Sequence, residues 1–114
     1  MPSQGAAKFE ALPQSTASRL IAFDTAEVVP GIISNTYFLV VRGTKPWLTM
    51  DVRLVPRIYI VEPDYWGIEV VGCQIGIGLP TEAPYTAVLD ISHVRGKNGV
   101  DVIGATGTKE INVP

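Results

Sequence analysis

The chain has 114 residues and one cysteine, which limits it to a single domain that buries its core without an intrachain disulfide. Nine basic and eleven acidic residues give a net charge of −2, so the composition offers no general attraction for nucleic acid or for an anionic membrane, and we expect neither as a partner. Hydrophobic residues make up 46% of the sequence, a surplus that favours a subunit interface or a lined cavity in so small a domain.

The N-terminal segment, residues 1–17, is mostly small and polar, with Pro2 and Pro13. We predict a flexible arm there that orders only where it docks, followed by one all-β domain over residues 18–114. The segment lacks the apolar stretch of a signal peptide, and no run of 18 apolar residues occurs further on. We therefore expect a cytoplasmic protein.

The first half of the domain contains several strand patterns. Residues 19–25 form the first, and residues 27–33 extend it with a break at Pro30–Gly31. Residues 36–42 are apolar on both faces, which is typical of a strand that is covered on both sides. Residues 47–55 alternate, which predicts a half-exposed strand. Its core positions are Leu48, Met50, Val52 and Leu54.

The longest apolar run, residues 66–79, predicts the central strand. Its β-branched residues suit a pleated surface, and its four glycines argue against a helix. The apolar positions are even-numbered in the first half and odd-numbered in the second, so we predict a β-bulge at Val71–Gly72. Pro56 ends the preceding strand, and residues 57–62 form another strand that leads into it through a turn at residues 63–65.

The last third of the chain alternates again over residues 85–94. The Asn98–Gly99 pair is a hairpin signal, and residues 100–104 and 109–113 are short strands around a second turn. The whole pattern predicts an all-β fold: a small antiparallel sandwich or barrel of seven to nine short strands. Short connections predict mostly antiparallel neighbours in meanders.

Catalytic and metal-binding patterns are mostly missing from the sequence, and no cofactor is expected. Asp90, Ser92 and His93 contain the residue types of a nucleophile triad, but on one strand Ser92 and His93 point to opposite faces, and Asp90 and Ser92 lie about 7 Å apart. Cys73 lies in the apolar run, which predicts a buried structural thiol. A metal site needs clustered ligands, and the chain has one histidine and one cysteine.

Exposed aromatic and basic residues are the remaining candidates for a contact site. Aromatic side chains at strand ends stack on sugars or anchor protein partners. Four cations at positions 42, 45, 53 and 57 could form a patch for an anionic ligand, although a solvated sheet face is the commoner outcome. The candidate ligand or partner contacts are Trp47, Arg53, Arg57, Tyr65, Trp66 and His93.

Two functions fit these patterns. The first is a non-enzymatic β-domain that acts through self-association and protein–protein contact, most simply as a homo-oligomer. The alternative is a domain that binds a small molecule, either an apolar ligand or a carbohydrate, in a cavity or on the Trp47 and Trp66 rings. An enzyme ranks third, because no catalytic constellation was found.

Overall fold

The computed structural model describes residues 16–76 and 78–114, with the side chains of Thr16, Ala17 and Ile75 left out, and it is all-β there. Most of the predicted arm, residues 1–15, lies outside the described residues, while its last two positions already belong to the first strand. No helix in the described part could span a bilayer. The eight strands are β1 (Thr16–Leu20), β2 (Thr25–Pro30), β3 (Tyr37–Lys45), β4 (Asp51–Pro56), β5 (Tyr65–Ile75), β6 (Ala83–Asp90), β7 (Gly99–Gly104) and β8 (Gly107–Asn112).

Two sheets pack as a sandwich, which is one of the two all-β architectures that the sequence predicts. The larger sheet has the order β1-β5-β7-β8, with β4 on the other side of β5, and the smaller sheet has the order β2-β3-β6. Strands β7 and β1 share one edge of β5, because β7 pairs with residues 65–69 and β1 with residues 71–75. All pairings are antiparallel except β5 with β7.

The predicted meander order is wrong for four of the seven connections between successive strands. Only β2–β3, β4–β5 and β7–β8 pair with their neighbours along the chain. The connection from β6 to β7 crosses between the sheets, so the Asn98–Gly99 signal does not form a hairpin. An alternating strand needs its apolar face covered by the opposite sheet, and this holds whether the next strand in the chain pairs with it or crosses to the other sheet. The alternation therefore does not predict which strands pair.

The core lies between the two sheets and follows the period of two. On β3 the odd positions Leu39 and Val41 face inward, and on β5 the even positions Ile68 and Val70 do so. Tyr85 on β6 is buried beside them and donates its hydroxyl to the carbonyl oxygen of Ala22 at 2.7 Å. The largest fully buried side chains are those of Leu39, Val41, Ile68, Val70, Ile91, Val100 and Val102.

The predicted bulge at Val71–Gly72 is absent, because β5 keeps one phase along its length. Its pairing with both β1 and β4 runs without a break through these residues. The inward row continues from Val70 to Gly72 and Gln74, while Cys73 lies half-buried on the outer face. Gln74 occupies a core position because the hydroxyl of Thr49 donates to its side-chain oxygen at 3.1 Å. Cys73 is therefore not the buried thiol that the sequence predicts.

The two predicted strand segments that flank β4 are loops. Residues 47–50 form a turn in which Leu48 is exposed, although Met50 is buried as predicted. Residues 57–62 leave the sheet after one further main-chain bond, from the Arg57 N–H to the Gly67 oxygen. Side chains then take the ladder positions: the Trp66 indole donates to the Arg57 oxygen, and the Gly67 N–H donates to the Tyr59 hydroxyl. With its ladder bonds satisfied in this way, the chain turns away from β5.

Candidate functional site

Three connections lie at one end of the sandwich, which we call the loop end. They are the β2–β3 loop (residues 31–36), the β4–β5 loop (residues 57–64) and the β6–β7 loop (residues 91–98). The registers place them together, because β3 begins where β6 ends, at Phe38 opposite Asp90, and β5 and β7 begin side by side, at Tyr65 beside Gly99. The loop end contains four of the six predicted contact residues: Arg57, Tyr65, Trp66 and His93.

The fold brings Trp66 and Arg57 into contact with each other and with two neighbours, Tyr59 and Glu69. The indole N–H of Trp66 donates to the main-chain oxygen of Arg57 at 2.8 Å, and the ring meets Tyr59 edge to face at 5.3 Å. The Arg57 guanidinium donates to the carboxylate of Glu69 at 3.0 Å. Because these bonds hold the start of the β4–β5 loop on the core, Trp66, Arg57 and Tyr59 fix the position of that loop.

Trp47 lies at the opposite end of the sandwich, in the β3–β4 turn. Its ring packs on Gly78, next to Gln74, and the Arg19 guanidinium lies 5.8 Å from its centroid. Gln74 and Trp66 are eight positions apart on β5, which corresponds to roughly 26 Å along an extended strand. The two tryptophans therefore form no common stacking platform.

The cations at positions 42, 45, 53 and 57 do not form a patch. Arg42 lies on the smaller sheet and pairs with Glu27 at 3.1 Å, while Lys45 donates to the main-chain oxygen of Met50. Arg53 lies on the outer face of the larger sheet and donates to the carboxylate of Asp51 at 2.6 Å. That hydrogen bond and the charge of Asp51 raise the pKa of Arg53. Each exposed arginine of this set thus has its own carboxylate.

Tyr65 lies on the outer face of the larger sheet at the loop end. Its hydroxyl donates to the side-chain oxygen of Asn112 at 2.6 Å. Lost hydration first, and then the charge of Glu110, raise the pKa of Tyr65. The hydroxyl therefore keeps its proton and holds β5 to β8 across β7.

Asp90 and Ser92 contact each other, which differs from the separation of about 7 Å that a continuous strand predicts. Strand β6 ends at Asp90, and the chain bends so that the Ser92 hydroxyl donates to Asp90 Oδ1 at 2.6 Å. The same hydroxyl accepts the N–H of Tyr37 at 3.2 Å. The bonds from Ser92 lower the pKa of Asp90. Since the Ser92 proton is held by a carboxylate and its oxygen by a backbone donor, the pair fixes the bend and closes no triad with His93.

His93 lines a cavity of about 530 Å³ at the loop end. The cavity lies between the β6–β7 loop, the β4–β5 loop and the end of the chain after β8. Its charged and polar lining includes Glu62, His93, Arg95 and Lys97. Sequence reasoning found only His93 of this set. Arg95 and Lys97 follow it in the same loop, where the sequence indicated only a turn, and Glu62 comes from a second loop that the fold brings to the first.

Backbone hydrogen bonds hold the β6–β7 loop against its neighbours. The N–H groups of Lys97 and Asn98 donate to the carbonyl oxygens of Pro63 and Asp64 at 2.9 and 2.8 Å. A side chain at Gly96 would collide with the same two carbonyl groups, so a glycine is required there. Side chains on this loop therefore project from a fixed backbone.

Large aliphatic side chains are exposed on the other two loops. Ile32 and Ile33 stand at the tip of the β2–β3 loop, where Asn35 takes a left-handed conformation with φ of 64° to close the turn. Ile58, Ile60 and Val61 stand on the β4–β5 loop. Ile32 and Ile60 are as exposed as in an extended chain, at 106% and 102%. Sequence reasoning placed these residues in strands, although Pro56 and Pro63 bracket the second loop and could have indicated it.

An apolar cleft of about 280 Å³ adjoins the β2–β3 loop. Ile32, Ile33, Thr36 and Phe38 line it, with Asp90 at one side. Within residues 16–76 and 78–114, no three histidine, cysteine or acidic side chains lie close enough together to hold a metal ion.

Comparison with known proteins gives no relative: no family model, no curated protein and no solved structure matches the chain significantly. The fold and the site define the class of the protein: it is a small β-sandwich with exposed aliphatic side chains on two loops at one end.

Proposed function

We propose that this domain acts without catalysis, through protein–protein contact and self-association, and that the loop end is its contact surface. The observation that carries the proposal is the exposure of five large aliphatic side chains on two loops at one end of the molecule. They are Ile32, Ile33, Ile58, Ile60 and Val61. Large exposed apolar side chains concentrated at one end of a small domain are typical of an interaction site.

The charges at the loop end also favour a protein partner. Glu62 and Asp64 follow the aliphatic side chains on the β4–β5 loop, and Arg95 and Lys97 lie on the adjoining loop. An apolar centre with a rim of both charge signs matches the anatomy of protein interfaces. A surface that binds an anionic membrane would instead carry basic residues only.

The energy available is sufficient for association. Full burial of one such side chain contributes about 1.5–3 kcal/mol, so the five together contribute roughly 7–15 kcal/mol. A closed two-fold dimer would bury the set twice, once from each copy. The cost of lost translational and rotational freedom is about 4–15 kcal/mol, which the doubled burial can exceed. We therefore expect a homo-oligomer at micromolar concentration.

Sedimentation equilibrium tests the proposal with Ile60→Asp as the variant and Leu79→Asp as the control. Leu79 is an exposed aliphatic residue in the loop at the opposite end, so its variant adds the same charge elsewhere. We expect a mass above 12.3 kDa for the wild type and the control, and 12.3 kDa for Ile60→Asp. A wild-type mass of 12.3 kDa at micromolar concentration would exclude self-association and favour the second function below.

The second candidate function is binding of a small molecule. The apolar cleft beside Phe38 approaches the size of known ligand sites and would take an apolar ligand. A carbohydrate would have to bind at a single tryptophan, because Trp47 and Trp66 lie at opposite ends.

We also propose a cytoplasmic location, whichever of the two functions holds. This rests on the composition, in which a single cysteine cannot form an intrachain disulfide.

A further inference from the structure

The cavity at the loop end brings three nitrogen-bearing side chains together, two of them cationic. His93, Arg95 and Lys97 occur at alternate positions of the β6–β7 loop, and all three line the same space of about 530 Å³. Glu62, from the β4–β5 loop, is the one acidic side chain in the described lining. The volume lies within the range of small-molecule sites.

Arg95 is held in place by two contacts. Its guanidinium carbon lies 5.1 Å from the centroid of the Tyr37 ring, and its Nη1 donates to the main-chain oxygen of Pro114 at 2.6 Å. A guanidinium has five N–H donors in a rigid fork, so the bond to Pro114 leaves others for a ligand. Because stacking already fixes the side chain, less rotamer entropy is lost when a ligand binds.

We propose that this cavity binds the oxyanion of a small molecule, a carboxylate or phosphate group, with Arg95 as its principal donor and Lys97 beside it. Guanidinium matches the two-oxygen edge of these groups, and the two bonds it forms are charge-assisted. Lys97 adds a mobile positive charge, and the His93 ring nitrogens add polar contacts. Glu62 opposes the ligand charge and limits the affinity.

The proposal does not depend on self-association. Calorimetric titration with inorganic phosphate and with citrate, at constant ionic strength, measures binding directly and separates the two oxyanion types. We expect saturable binding of one molecule per chain by at least one of them. The same titration on the Ile60→Asp variant, which alters the contact surface alone, separates this site from that surface.

Three variants assign the binding to the cavity. Lys97→Met and Arg95→Met should each weaken it, with a loss of about 10- to 100-fold for the arginine, the magnitude of a lost charged hydrogen bond. Glu62→Gln should strengthen it, because an opposing charge is removed at constant size. Arg53→Met is the control, since Arg53 pairs with Asp51 on the outer face of the larger sheet.

Two results would overturn the proposal. One is the absence of saturable binding for both phosphate and citrate at tens of millimolar. The other is an equal loss of affinity in Lys97→Met and in the Arg53→Met control, which would indicate a general salt effect. The gain expected for Glu62→Gln does not depend on whether Arg95→Met remains folded, so the proposal stays testable if that variant is unstable.

Discussion

Gly72 tests the continuous register of β5, which is the main difference between the predicted and the observed central strand. A Cβ atom at this position would overlap the Met50 sulfur and lie 2.8 Å from Cγ2 of Ile21. Both neighbours are buried, at 2% and 4% exposure, so neither can move into solvent. A bulged glycine would leave room for a methyl group, whereas a glycine in the inward row has none.

We expect Gly72→Ala to lower the free energy of unfolding by about 1–3 kcal/mol, the usual cost of overpacking a core. Gly107→Ala is the matched control, since a Cβ there meets no atom within 4 Å. The control should leave stability unchanged or raise it by a few tenths of a kcal/mol, because alanine restricts the unfolded chain. Urea unfolding followed by circular dichroism measures both.

A double-mutant cycle with Met50→Ala identifies the clash. Met50→Ala alone should cost about 2–5 kcal/mol as a buried truncation. In that background Gly72→Ala should cost much less than in the wild type, because the overlapping sulfur is gone, and the two changes should be clearly non-additive. Equal stability of Gly72→Ala and Gly107→Ala, or strict additivity in the cycle, would refute the inward position of Gly72.

Three further predictions concern the core, the pH dependence and the arm. Burial raises the pKa of Tyr85 to about 12, so the folded state keeps a proton that the unfolded chain loses near pH 10. The contribution of Tyr85 to stability should be constant below pH 10 and fall by roughly 2–3 kcal/mol as the pH approaches 12, and alkaline unfolding of Tyr85→Phe should lack this component. Leu39→Ala should cost about 2–5 kcal/mol in urea unfolding, whereas Val88→Ala, exposed on the outer face of the smaller sheet, should cost about 0.5 kcal/mol or less. Removal of residues 1–15 should leave the melting temperature nearly unchanged, and a stability loss beyond about 2 kcal/mol would show that the arm packs on the domain or on a neighbour.

The sequence alone determined the fold class and most of the core. The period of two over residues 85–94 predicts that Tyr85, Ala87, Leu89 and Ile91 face inward. The structure buries three of them, and Leu89 is half-buried against the core. Local alternation is sufficient for this, because successive side chains of a strand point to opposite faces wherever the strand lies in the sheet. Turn residues such as those between β7 and β8 are similarly local, so these strands were predicted nearly to their ends.

Only the tertiary structure decided the phase of β5 and the composition of the loop end. Gln74 faces the core and Cys73 faces outward because Thr49 satisfies the amide oxygen, a contact between residues 25 positions apart that no local pattern contains. The β4–β5 loop leaves the sheet because side chains of Trp66 and Tyr59 take its ladder bonds. Glu62 and Arg95 share a cavity because β5 and β7 pair and begin side by side, and strand pairing of this kind depends on long-range packing that the sequence pattern does not contain.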